Sequence, residues 1–365
     1  MPERVVMAGG GTGGHLFPAI AVARELEEMV PPAEVHFIGT SHGIEARILP
    51  REGYPLHLVE AEGFRGRGVR RAAALGKLAV GFRQSLRILR DLRPSWVLGV
   101  GGYASLPAGL AALVLRIPLF LHEQNATAGL ANRILARRAR RVFLSYSRTQ
   151  GLPKGASTQV TGNPVRRELL GAGEEPAFFG LSPGRKVVLI FGGSQGARSI
   201  NRAVVGDLGL MGDHRDKLAF IHQVGEGMVK EVEEAYARWG LEAHITPFIY
   251  EMGKAYATAH LVVCRAGATT LAELTALGKP SILIPFPHAV GNHQLHNARA
   301  LEEAGAAAVI TESEFQEGLL GGKILELLFD DEKRKAMAMA AGELGRPRAA
   351  QDIARSCWEV VSAGR

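Results

Sequence analysis

The chain has 365 residues, 47% of them apolar and 22% charged, with 45 glycines. At roughly 150 residues per domain this predicts two domains with full cores, and it excludes a disordered chain, a coiled coil and collagen. Only Cys264 and Cys357 are present, and the net charge of +7 is uneven: residues 1–163 hold 21 Lys/Arg against 11 Asp/Glu (+10), residues 164–365 hold 22 against 25 (−3). Two cysteines make no disulfide framework or thiolate zinc site and point to a reducing compartment. The basic half asks for an anionic partner, nucleic acid or an acidic membrane leaflet, unless it is simply a solvated face.

The chain opens on VVMAGGG, without the pattern of a signal peptide. The first element is an apolar strand running into GGGTGGH, Gly9 to His15. Gly9, Gly11 and Gly14 fit G-x-G-x-x-G, which lets backbone approach a pyrophosphate at a helix N-terminus. A dinucleotide site also wants an acid after the second strand, and VHFIGTSHG supplies none. His15 follows at the expected first helical turn. The helix dipole disfavours imidazolium there, so a neutral, proton-accepting ring is one reading and a loop-capping His the other.

The stretch from Phe64 to Arg93 carries nine Lys/Arg. Leu75, Leu78, Ala79, Phe82, Leu86 and Leu89 form one helical stripe, core in its C-terminal half; the basic, glycine-broken N-terminal part suits an anionic membrane better. Next come WVLGVGGYAS (96–105), a second strand-to-glycine-loop segment, and an apolar stretch to Leu121 broken by Pro107, Arg116 and Pro118, which predicts no spanning helix. HEQNATAG (122–129) then ends a strand with four polar residues. They contact a ligand or they tie loops together, and Glu123 is catalytic or structural. Residues 133–148 add six arginines and no acid.

VTGNPVRREL contains the breakers Gly162, Asn163 and Pro164, which places the domain boundary at 163/164 with Pro164 in the first turn of a helix and Gly171–Gly184 as a loose connection. Arg166 stands just beyond, able to grip a phosphate or merely to face solvent. FGGSQGA (191–197) reads two ways. Gly192, Ser194 and Gly196 match the nucleophile elbow of a serine hydrolase, with Asp207 and His288 downstream as partners; the same loop is a phosphate cradle.

CRAGATTLAEL (264–274) runs from a strand into a helix whose start, Ala268, Thr269 and Thr270, offers N–H groups. Glu273 one turn on can accept from a ribose diol or only complement the dipole. In PFPHAVGNHQLHNA (285–298), Gln294 and Asn297 share a helix face and suit sugar hydroxyls. His288, His293 and His296 match no catalytic zinc spacing. The segment Arg348–Ala363 reads as a helix with Ile353, Ala354, Cys357, Val360 and Val361 on a buried face. Recurring apolar runs between amphipathic stretches predict an α/β fold of two doubly wound parallel-sheet domains, whose facing loops make a cleft for two substrates.

In this order GGGTGGH, GVGGY, HEQN, GNPVR, GGSQGA, CRAGA and NHQxxN resemble the MurG family, the bacterial N-acetylglucosaminyltransferases of peptidoglycan synthesis; the likeness runs from Val5 to about Gly305. The resemblance implies a GT-B fold of two Rossmann-like domains, with residues 1–163 binding acceptor and membrane, residues 164–347 binding UDP-GlcNAc, and the C-terminal helix, 348–365, packed back on the first. It implies inverting transfer of GlcNAc from UDP-GlcNAc to the C4 hydroxyl of MurNAc in undecaprenyl-pyrophosphoryl-MurNAc-pentapeptide (lipid I), giving lipid II, without metal or cofactor. It also implies a peripheral protein at the cytoplasmic face of the membrane, with an anionic membrane surface rather than nucleic acid as partner, serving cell shape and division alongside other cell-wall synthesis or division proteins.

By the same resemblance His15 is the general base, and Thr12, Gly13, Gly14 and Asn125 contact substrate in the first domain. Arg166 and Ser194 meet the diphosphate, Gln195 contacts substrate and the Ile249 backbone reads uracil. Ala268, Thr269 and Thr270 form the donor helix start and Glu273 binds ribose. Gln294 and Asn297 read GlcNAc, with His293 where other members have a second Gln. The rival readings are a serine hydrolase at Ser194, a UDP-sugar isomerase and a non-catalytic sensor.

Overall fold

The computed structural model describes residues 3–30, 32–62, 69–193, 195–289 and 292–363, with side chains in the helix Val69–Leu92 described from Ala74. The chain divides into two compact units, Met1–Arg166 with Arg346–Arg365, and Arg167–Gly345.

The first unit is a seven-stranded parallel sheet: β1 (Glu3–Ala8), β2 (Ala33–Gly39), β3 (Leu56–Leu58), β4 (Trp96–Gly99), β5 (Leu119–Glu123), β6 (Arg141–Leu144) and β7 (Thr158–Val160), in the order β3-β2-β1-β4-β5-β6-β7. The inner strands β1, β4, β5 and β6 carry apolar runs because both faces of the sheet are covered there. Val5, Met7, Trp96 and Leu98 pack against the helix Gly13–Met29 and against Ile353, Ala354 and Cys357 of the helix Ala349–Ser362. Val6, Ala8 and Val97 meet Leu89 and the helix Ser105–Val114 on the other face. The stripe on Val69–Leu92 divides: Leu89 is buried and Leu86 and Phe82 lie against the core, whereas Leu75 is exposed.

The second unit is a six-stranded parallel sheet: β8 (Lys186–Phe191), β9 (Leu218–Gln223), β10 (Glu242–Thr246), β11 (Leu261–Cys264), β12 (Ser281–Leu283) and β13 (Ala308–Val309), in the order β10-β9-β8-β11-β12-β13. The two α/β sheets are those expected from the alternating pattern. Each reverses its winding beside its first strand, between β1 and β4 and between β8 and β11, and crevices at such points are where these folds bind ligands.

Two local expectations fail. Pro164 does not start a helix: Thr161–Val165 is buried and the short helix begins at Arg167, so the first unit extends to Arg166. The connection Gly171–Gly184 is not loose throughout, because Pro176–Phe179 forms a 3-10 turn that buries Phe179 in the second core.

Both cores hold a buried neutral histidine. Burial pushes His122 down to about 4, and a carbonyl partner, Gly162, only partly opposes it. Burial takes His222 to about 3. An unfolded histidine titrates near 6.5. Below that pH the unfolded chain takes up protons that the folded chain refuses, so stability is lost as pH falls from about 6.5, by on the order of 2 kcal/mol per ring at pH 5. Urea midpoints between pH 7 and pH 5 should fall accordingly, and His222→Gln should flatten the slope; a slope equal to that of the parent chain would exclude His222 as a source.

Candidate functional site

In the first unit the strand ends at the β1/β4 switch point carry Gly9–Thr12 and Val100–Ala104. Gly10 has φ +137, and a Cβ there would stand 2.5–2.7 Å from the carboxylate of Glu45, so only glycine fits. Glu45 is fully buried. Its Oε2 accepts from Gly11 N–H at 2.7 Å, and its Oε1 from the N–H and hydroxyl of Thr40, each at 2.9 Å. This acid lies just past the segment in which the sequence offers none. It is spent on the loop itself, so it supplies no ribose contact.

Thr12 is the N-cap of the helix that begins at Gly13, and His15 lies in its first turn with Nδ1 3.2 Å from Thr12 Oγ1. The partly buried ring turns its other edge to Gly101: a Cβ built there would be 2.6 Å from His15 Cδ2 and 2.9 Å from Nε2. Gln124 Nε2 donates to Val100 O at 2.7 Å, fixing the second glycine loop against β5. Glu123 is structural: Oε1 accepts from Asn125 N–H (3.0 Å), Oε2 from Gly129 N–H and Asn132 Nδ2 (2.8 Å each). Asn125 is held by that carboxylate. Arg166 stacks its guanidinium 4.1 Å over the Phe17 ring, two residues from His15 on the same helix. Thr12, Gly13, Gly14 and His15 therefore gather at one helix start, with Arg166 beside the next turn.

In the second unit the loop 192–197 leaves β8 and the helix Arg198–Gly212 follows. Ser194 lies outside the described residues; Gln195 is exposed. At Gly196, φ is +73 and a Cβ would collide with Val224 O. That carbonyl also accepts from Asn201 Nδ2 at 2.9 Å, and Asn201 Oδ1 lies 3.2 Å from His222 Nε2, so a buried network braces the loop against β9. The hydrolase reading loses its acid. Asp207 is buried and accepts from Gly318 and Gly321 N–H, each at 2.7 Å, capping the helix Leu319–Phe329.

Across the switch point Ala268–Ala276 starts after Gly267 with no side-chain cap, placing Ala268, Thr269 and Thr270 at its first turn. Glu273, one turn on, is buried, and its Oε2 accepts from Tyr256 OH at 2.9 Å. Burial and Glu273 push the Cys264 thiol well up, leaving it inert. Ile249, after β10, packs partly buried on the core that holds Leu271 and Leu274.

His293, Gln294 and Asn297 lie on the helix His293–Glu303. Gln294 Oε1 accepts from Phe286 N–H at 2.9 Å. Asn297 is buried, and neither amide atom has a hydrogen-bond partner among the described residues. Arg265, not singled out in the sequence, clamps the surroundings: it donates to Ile284 O (3.2 Å), Pro285 O (3.3 Å) and Ser199 Oγ (2.9 Å), and pairs with Glu312. Partial burial would raise Glu312, yet hydrogen bonds from Ser199 and Arg265 hold it below the usual carboxylate range. Among the described residues no three His, Cys, Asp or Glu side chains gather as metal ligands.

Two family models match, the glycosyltransferase family 28 N-terminal domain over residues 5–144 and its C-terminal domain over 187–353. A Myxococcus xanthus protein named UDP-N-acetylglucosamine–N-acetylmuramyl-(pentapeptide) pyrophosphoryl-undecaprenol N-acetylglucosamine transferase is 46% identical over 359 residues, 98% of this chain and 93% of its own length. One of the same name from Geobacter metallireducens is 47% identical, covering 96% of each chain. The crystal structure of Acinetobacter baumannii MurG aligns with TM-score 0.74 and 31% identity over 98% of this chain and all of its own.

Proposed function

The chain belongs to the MurG family of glycosyltransferases, and we infer from its site that it transfers GlcNAc from UDP-GlcNAc to the MurNAc unit of undecaprenyl-pyrophosphoryl-MurNAc-pentapeptide, converting lipid I to lipid II. It is a hexosyltransferase of peptidoglycan synthesis. The observation that carries the reading is the pair of glycine loops, each running into a helix start at the switch point of its own sheet. Donor and acceptor both contain a pyrophosphate, and a helix N-terminus reached through glycine is suited to one.

In this reading the acceptor's C4 oxygen attacks C1 of GlcNAc while His15 Nε2 takes the hydroxyl proton. The C1–O4 bond forms, the bond from C1 to the diphosphate oxygen breaks, and UDP leaves with the electron pair, inverting C1. When Nδ1–H donates to Thr12 Oγ1, Nε2 is the nitrogen that carries the lone pair. The N–H groups at the helix start that follows the loop around Ser194 and Gln195 offset the charge on UDP. Ile249 meets uracil through its backbone, Glu273 the ribose, and Gln294 and Asn297 the GlcNAc hydroxyls.

A water-soluble donor and a lipid acceptor require the enzyme to work at an interface, and we place it as a peripheral protein on the anionic cytoplasmic surface. No described helix is long and apolar enough to cross a membrane. A hollow of about 550 Å³ lies between the helices Val69–Leu92 and Ser105–Val114, lined by Leu75, Phe82 and Val114. An adjoining hollow carries Arg116, Arg137, Arg138 and Arg140, which suits apolar insertion beside anionic headgroups. The basic residues Arg65 and Arg67 lie outside the described residues.

Incubated with radiolabelled UDP-GlcNAc, a short-chain lipid I analogue and EDTA, the purified protein should move label into the lipid fraction. Transfer only after Mg²⁺ is added would keep the transferase and overturn the metal-free departure of UDP. Binding of UDP-GlcNAc without transfer in either condition would put the sensor or isomerase ahead.

A further inference from the structure

We propose that Tyr256 is a positioning residue that aims the Glu273 carboxylate at the ribose hydroxyls of the uridine donor; this rests on the ribose role given to Glu273 above. Tyr256 lies on the helix Met252–Thr258 with its side chain fully buried, and its ring meets Phe191 edge-on, centroids 6.0 Å apart. Its hydroxyl donates to Glu273 Oε2 at 2.9 Å.

The direction of that bond is settled by chemistry, since an ionised carboxylate only accepts and a phenol has one proton to give. The consequence is orientation. The last torsion of a glutamate is soft and roughly two-fold, so an unheld carboxylate samples many planes. Accepting from a ribose hydroxyl requires a carboxylate oxygen at a fixed place, and the Tyr256 bond selects the plane before ligand arrives. Phe191 is the last residue of β8, immediately ahead of the glycine loop. One buried ring therefore touches both the strand end that launches the phosphate cradle and the acid assigned to ribose.

The test is a preference measured within each protein, so a general loss of active fraction cancels. Titration calorimetry of the full chain with UDP, 2′-deoxy-UDP and 3′-deoxy-UDP should show the parent binding UDP roughly tenfold or more tighter than the analogue lacking the contacted hydroxyl, the scale of a hydrogen bond to a charged group. Tyr256→Phe keeps the ring and removes only the hydroxyl. It should shrink that preference several-fold while leaving affinity for the deoxy analogue nearly unchanged. Equal weakening of all three ligands, or an undiminished preference, would overturn the positioning role. Glu273→Gln tests the underlying reading: it should abolish the preference, and Tyr256→Phe added to it should change the preference no further. A Glu273→Gln protein that keeps the parent preference would remove the ribose role, and the positioning role with it. Loss of preference in Glu273→Gln but not in Tyr256→Phe would remove Tyr256 alone.

Discussion

His15→Ala should lower kcat by on the order of 10²–10⁴-fold, the contribution of a positioned general base, while UDP affinity stays within about twofold of the parent. The split follows from where the groups lie. His15 sits on the helix start of the first unit, whereas Ile249, Glu273 and Asn297, given to the donor, belong to the second. The ring is held on one side by Thr12 Oγ1 and faces Gly101 on the other, so truncation to Ala removes the proton acceptor without opening the core. Added imidazole should restore part of the rate. The measurement is steady-state transfer to a lipid I analogue alongside UDP titration. Near-normal kcat would take His15 out of the chemistry, and a parallel loss of UDP affinity would make it a binding residue instead.

The legible parts of this molecule are those whose physics is local. β1, β8 and β11 carry valine-rich apolar runs because both faces of a parallel sheet are covered, and Gly9 after β1 and Gly196 after β8 are glycine because a Cβ there would meet other backbone. The sequence therefore places His15, Ala268–Thr270 and Glu273 on the elements where they are found. The edge strands β7, β10 and β13 escape notice: TQV and EAHIT are short and partly exposed with no continuous apolar run, and AV is only two residues long. Polar roles are less readable still. Nothing local distinguishes Glu123, which ties Asn125, Gly129 and Asn132 together, from a catalytic acid. Asp207 looks available to a serine until helix Leu319–Phe329, more than a hundred residues on, is seen to claim it. Tyr256 and Arg265 gain their meaning only from partners brought in by the fold.

Glu45→Ala should destabilise the first unit by on the order of 3 kcal/mol, because the N–H and hydroxyl of Thr40 lose their acceptor in a buried site, each orphan costing about 1–3 kcal/mol if unrelieved, and Gly11 in the exposed loop loses its tie. For a unit of this size that is a fall in its unfolding temperature of roughly 6–12 °C. Activity should suffer beyond stability. Gly10 and Gly43 are small where they are because the carboxylate occupies the space a Cβ would take. Removing it leaves a void under the loop that leads to Thr12 and His15. The loop would then sample positions that misplace the proton acceptor, and small displacements of a reacting group are costly in rate. Glu45→Gln should fall between parent and Ala, since an amide offers one oxygen and must turn its NH₂ toward Gly11 or Thr40, both of which donate. Calorimetric scans and transfer kinetics below the transition separate the two effects: a lowered transition with parental kcat would confine Glu45 to stability, and an unchanged transition would show that the bonds to Gly11 and Thr40 carry no net weight.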